Sequence, residues 1–200
     1  MTGITKYHGH SQIQAPYQLM LIVAVLLTAY YPIAFGDFSR IDDHSIVDSV
    51  RSIELRNVPE LFIPHVKYGA YYRPVLFLSF LLDKYLFNLD PGFMHLHNII
   101  LHVINALLIF WLVRQLTGDR KQGENLIPLM SALVFGLHPI ATEPVSWIGG
   151  RTDVLACTFI LLSANCIILF KKEHSYWYVA LSALFMSLGF LTKEVAIAFL

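Results

Sequence analysis

The sequence predicts an all-α membrane protein, with about five transmembrane helices plus juxtamembrane helices on the outer face. Hydrophobic residues make up 56% of the chain and charged residues only 14%, where a soluble domain carries about 25% charged. Mean hydropathy is +0.58. The apolar residues fall in runs close to the roughly 20 residues a spanning helix needs. Aromatics reach 14%, which suits rings placed at bilayer interfaces.

The first run, Tyr17 to Phe35, carries no charge. It exceeds a signal-peptide core and no small-x-small cleavage site follows it, so it reads as a retained anchor. The second span runs from Met94 to Leu116, the third from Leu126 to about Ala141, the fourth from Asp153 to Phe170 and the fifth from Tyr176 to Leu191. Val195 to Leu200 begins another apolar helix. The run Arg73 to Asn88 is different, because Asp83 and Lys84 lie inside it. Each charge at the bilayer centre costs about 2.5–3.5 kcal/mol on insertion scales, unless the two are paired.

Charge sets the expected orientation. Short cytoplasmic loops collect Lys and Arg. Lys6 precedes the first span, Arg114, Arg120 and Lys121 follow the second, and Lys171 and Lys172 follow the fourth. These places share one side only if 73–88 does not span. The N-terminus (1–16) is then cytoplasmic, 17–35 is the first span, 36–93 is an extracytoplasmic loop, and 94–200 holds the remaining membrane helices. Between Gly36 and Ala70 the loop has six acidic and four basic residues and reads as a small folded cap. Asp48 to Leu55 has helical spacing and predicts a short interfacial helix.

The formal net charge is zero, with no basic excess to draw nucleic acid. Cys157 and Cys166 would lie about 13 Å apart along a helix, too far for a disulfide. No helical-repeat pattern or low-complexity tract is present.

The polar residues gather at the outer ends of the spans. Asp42-Asp43-His44 follows the first span, where a carboxylate can serve as general base or metal ligand, or be a solvated turn. Arg73 precedes Pro74, placed to grip a phosphate or a lipid headgroup. His95, Asn98, His102 and Asn105 share one helix face, which should face protein and make interhelical hydrogen bonds. His138, Glu143, Trp147, Arg151 and Asp153 crowd a short loop with Gly149-Gly150. Lys193-Glu194 reads as an ion pair capping a span.

These groups resemble the GT-C class of membrane glycosyltransferases, and within it the transmembrane and tetratricopeptide-repeat O-mannosyltransferases and their bacterial relatives. The resemblance rests on Asp42-Asp43-His44, Tyr72-Arg73-Pro74, His95-Leu96-His97-Asn98, Leu101-His102 and the stretch from His138 to Asp153, with Leu191-Thr192-Lys193-Glu194 a weaker match. It implies the N-terminal portion of a GT-C fold, and transfer of a sugar from a polyprenyl- or dolichyl-phosphate donor to an acceptor hydroxyl on the extracytoplasmic face. It assigns catalysis to Asp42 and Asp43, with Asp42 the base. Arg73, Arg151 and Lys193 would bind the donor phosphate. His138, Glu143, Trp147, Asp153 and His102 would support the substrate site. A divalent metal ion stays open as a cofactor.

The implied partners are the lipid-linked donor, a protein or glycan acceptor and the bilayer; the implied location is the inner membrane if the source is bacterial. The family has more spans than this chain holds and a repeat domain that it lacks. The expectation is therefore a fragment, inactive alone. Competing readings are a transporter or flippase of lipid-linked sugars, and a structural membrane subunit. Charges collected at the outer surface favour chemistry there over a midplane transport site.

Overall fold

The computed structural model describes residues 9–39, 42–64, 71–118 and 126–199. Among these, every regular element is a helix. Helix α1 is Gly9–Tyr30, α2 Asp43–Ser52, α3 Pro74–Phe87, α4 Pro91–Thr117, α5 Leu126–Leu137, α6 Thr142–Ser146, α7 Arg151–Glu173 and α8 Tyr176–Phe190. Short 3-10 turns occupy Tyr31–Phe35, Leu55–Phe62, Pro139–Ala141 and Glu194–Phe199.

Local chemistry sets the boundaries. α3 begins at Pro74, where a missing N–H is harmless, and stops at Asn88 in the left-handed conformation. Asp90 caps α4, its carboxylate accepting the Phe93 N–H at 3.2 Å, the usual work of an N-cap. α5 ends where Pro139 removes a backbone donor. The chain bends by 50° there before α6.

Ala15–Phe35, Pro91–Thr117 and Arg151–Glu173 are long and apolar enough to cross a membrane, and the bent pair Leu126–Leu137 with Pro139–Ser146 makes a fourth candidate. The fifth expected span, α8, has 15 residues, about 22 Å of helix, shorter than the roughly 30 Å hydrocarbon core. Val195 onward forms a 3-10 turn to Phe199, with Leu200 outside the described residues.

α4 is the hub, packing against α1, α5 and α7, with α8 on the far side of α7. α1 buries Ile22, Leu26 and Tyr30, one helix face, and exposes Tyr17, Met20 and Leu27. The helices alternate in direction. The Tyr30 hydroxyl donates to Gly136 O at 2.9 Å, so α1 and α5 end together. Asn105 Nδ2 donates to Val154 O near the start of α7, and Gln115 Nε2 donates to Asn165 Oδ1 towards its far end. Arg114, Lys171 and Lys172 lie in the last turns of α4 and α7, at that far end. Lys6, Arg120 and Lys121 lie outside the described residues.

The polar stripe of α4 faces protein as expected: His95, Asn98, His102 and Asn105 are all buried. Three bridge helices, through Asn98 to Trp147 O, His102 Nε2 to Gly136 O, and Asn105 to Val154 O. His95 is buried with no hydrogen-bond partner among the described residues.

A second, smaller core joins α2, the Leu55–Phe62 turn and α3 around Val47, Val50, Ile53, Leu61, Phe80 and Leu81, with Met94 and Ile148 beneath. The cap helix begins at Asp43, ahead of the predicted Asp48, because Asp42 starts it and Asp43 fills its first turn. The charges of α3 do not pair with each other. Asp83 binds Arg151 and His97. Lys84 Nζ donates to the carbonyls of Arg51 and Ile53, at 2.9 and 2.7 Å, at the C-terminal end of α2. A cation is favoured at a helix C-terminus. α3 has 14 residues, about 21 Å.

Candidate active site

The end of the bundle opposite Arg114, Lys171 and Lys172 is assembled from α2, α3, α6, α7 and the segment after α8. Asp42 and Asp43 are neighbours in sequence and opposites in environment. Asp42 is exposed, and no backbone amide bonds its side chain as a cap. Asp43 is fully buried. Its Oδ2 accepts the Ser39 N–H at 2.8 Å and its Oδ1 accepts the Gly149 N–H at 3.3 Å. Asp43 thus ties the first loop to the loop before α7. The junction is tight: a Cβ on Gly149 would come within 2.6 Å of the Trp147 ring and 3.1 Å of Ile46, and one on Gly150 within 2.5 Å of Pro144 O. No side chain fits at either glycine.

Two cavities share Asp42 and Trp147 as walls. One, about 460 Å³, adds Ser39, Glu143 and Ser146. The other, about 260 Å³, adds Tyr71, Arg73 and Thr152 among its lining. A carboxylate therefore stands between a polar chamber with a second carboxylate and a chamber with a guanidinium. Arg73 lies under the Tyr71 ring, 4.5 Å from its centroid, and is bound bidentately by Glu194 at 2.9 and 3.3 Å. That contact holds the Glu194 carboxyl below its ordinary range, chiefly through the hydrogen bond from Arg73.

The other predicted residues sit elsewhere. His102, His138 and Asp153 line a third cavity of about 520 Å³, mostly apolar, on the opposite face of α6. Ala141, Pro144 and Val145 form that face, while Glu143, Ser146 and Trp147 turn to the Asp42 side. His138 Nδ1 accepts the Ile140 N–H at 3.2 Å, closing the turn after α5. Lys193 pairs with Asp153, not with Glu194.

Arg151 has no exposed surface. It binds Asp83 through Nη1, Asn98 Oδ1 through Nε at 2.8 Å and Met94 O through Nη2 at 2.9 Å, with its guanidinium 4.4 Å from the centre of the Phe80 ring. Among the described residues no group of three His, Cys, Asp or Glu converges to hold a metal.

Sequence reasoning missed Asp83 and His97 as partners of this network. The signal was present: a carboxylate inside an apolar run needs a cation.

Comparison with known proteins agrees with the motifs. The chain is 39% identical over 93 residues to protein O-mannosyl-transferase TMTC1 of Mus musculus, covering 46% of this chain and 9% of that protein. It is 35% identical over 135 residues to protein O-mannosyl-transferase TMTC2 of Homo sapiens, covering 64% and 15%. It is 30% identical over 152 residues to protein O-mannosyl-transferase TMTC3 of Homo sapiens, covering 72% and 16%. The chain resembles the protein O-mannosyl-transferases. These alignments span only 9–16% of each of these relatives' length. No family profile matches the chain, and no solved structure does.

Proposed function

We propose that this chain forms the catalytic front of a membrane glycosyltransferase that moves a sugar, mannose by analogy with its relatives' names, from a lipid-phosphate donor to a protein hydroxyl. The observation that carries this reading is the shared wall of the two cavities. Asp42 borders both, with Arg73 in one and Glu143 in the other.

The chemistry follows from that placement. The acceptor hydroxyl enters the Glu143 chamber and passes its proton to Asp42 as its oxygen attacks the anomeric carbon. The bond from that carbon to the phosphate oxygen breaks, and the electron pair leaves with the phosphate. Arg73 stabilises the charge gathering there. The Trp147 indole supplies an apolar face for the sugar ring, and Glu143 accepts hydrogen bonds from hydroxyls. Asp43, buried and bonded to two amides, positions Asp42. Arg151 holds α3, and with it Arg73, against α4 and α7.

The basic residues at the far end support a cytoplasmic location for that end. The cavities then face the extracytoplasmic side, and α3 lies at that surface without crossing. A cysteine in place of exposed Arg56 should react with an impermeant reagent from outside, and one replacing Lys172 only after permeabilisation. The reverse pattern overturns the orientation.

The activity test uses the full-length protein, labelled polyprenyl-phosphate mannose and a Ser/Thr-containing protein acceptor. Asp42→Asn should lower the rate by about 10²–10⁴-fold, the usual worth of a general base. Arg73→Ala should lower donor use. Transfer at the parent rate by both variants refutes the site.

A further inference from the structure

Arg73 and Lys193, two cations at this end, are already held by carboxylates. Glu194 occupies the Nε–Nη2 edge of Arg73, and Asp153 holds Lys193. In each pair the carboxylate is the open partner. Glu194 and Asp153 side chains are 60% and 51% exposed, against 16% for Arg73 and 23% for Lys193. The fork that a guanidinium offers a carboxylate is the same fork it offers a phosphate. Glu194 is the solvent-facing partner, so another anion can reach the fork and compete for it.

The backbone bearing Glu194 is held without its side chain. Leu191 O accepts the Val75 N–H at 3.2 Å, the Lys193 N–H donates to Gly189 O at 2.9 Å, and Thr192 Oγ1 donates to Leu188 O at 2.8 Å. The carboxylate can therefore leave Arg73 while the segment stays in place.

We propose that Glu194 is a placeholder for the donor phosphate: it fills the Arg73 fork at rest, and a pair of phosphate oxygens displaces it when the lipid-linked sugar arrives. This rests on the reading of Arg73 as the phosphate partner. Glu194 is then a specificity-determining residue. A neutral ligand cannot evict it, and an anion must outcompete it.

The charged and titratable groups around Glu194 are Arg73 and Tyr71 beside α3, its neighbour Lys193, and Asp153 of α7 behind Lys193. A sugar phosphodiester stays ionised through the carboxyl range, so it reports on Glu194 without titrating itself.

The test is binding of a short-chain prenyl phosphomannose to the full-length protein in nanodiscs. Glu194→Gln should bind about three- to fivefold more tightly at pH 7, the affinity equivalent of a lost exposed pair. The gap should close as pH falls and the parent's Glu194 protonates, because the parent then resembles the variant. Glu194→Asp, which keeps the charge but is one methylene shorter, should fall between the parent and Glu194→Gln, and thermal melts should show both variants folded at the assay temperature.

If neither variant binds more tightly while Arg73→Ala binds more weakly, the placeholder fails and the Arg73 reading stands. If Arg73→Ala binds like the parent, the Arg73 reading itself fails. If phosphatidylglycerol added to the disc competes as well as the phosphomannose, Arg73 holds a bilayer headgroup and the proposal falls.

Discussion

Two arginine–carboxylate pairs lie at the same end of this molecule, and they differ in almost everything except chemistry. Arg151 and Asp83 are both fully buried, with Asn98, His97 and a backbone carbonyl completing their bonds. Arg73 and Glu194 sit at the surface beside a cavity. Burial makes the first pair a structural joint, since neither partner can be removed without stranding a charge. Exposure makes the second pair exchangeable. The two adjacent aspartates repeat the contrast: Asp43 is locked to two amides and Asp42 is open.

The largest expected effect is on the buried joint. Asp83→Ala should destabilise the protein by about 3–5 kcal/mol by leaving Arg151 unpaired, read as a loss of thermal stability in detergent. Asp83→Leu combined with Arg151→Met should recover most of it, since well-packed apolar replacements are often neutral. A double variant as unstable as the single would break the contrast.

Asp43→Ala comes next. It strands the Ser39 and Gly149 amides, at a cost of about 1–3 kcal/mol. Asp42→Asn should leave stability within about 0.5 kcal/mol, the usual range for surface changes, while removing activity. Equal melting shifts for the two aspartates would erase the distinction drawn between them.

The smallest effect belongs to Glu194→Gln, below about 1 kcal/mol in stability. Its pH dependence has a definite sign. The folded carboxyl is held low by Arg73, so its contribution is present above the unfolded carboxyl value and lost as pH falls through the lowered one. Melting curves of parent and variant should converge in acid and separate towards neutrality.

Much of this arrangement was legible in the sequence. Hydrophobic runs located α1, α4, α5, α7 and α8, and bilayer thickness accounts for the lengths of α1, α4 and α7. The period of His95, Asn98, His102 and Asn105 showed which face of α4 turns inward. Other features were not legible, for specific reasons. Asp42 and Asp43 look alike in a string of letters, and only folding puts one against Gly149, 106 residues away. Arg151 resembled a ligand-binding arginine because its partner Asp83 lies 68 residues earlier, in a helix read as a surface element. His138 and Asp153 part from Glu143 because α6, five residues long, turns Glu143 and Ser146 to one cavity and Pro144 and Val145 to another.

The bridge from Asp43 to both Ser39 and Gly149 also fixes how this end opens. Two loops far apart in sequence share one carboxylate, so a movement of Asp43 loosens both junctions. Their amide protons should exchange with solvent together, as one cooperative unit. The loop that carries Asp42 and the loop that carries Trp147 then keep a constant spacing while the lipid-facing helices around them breathe.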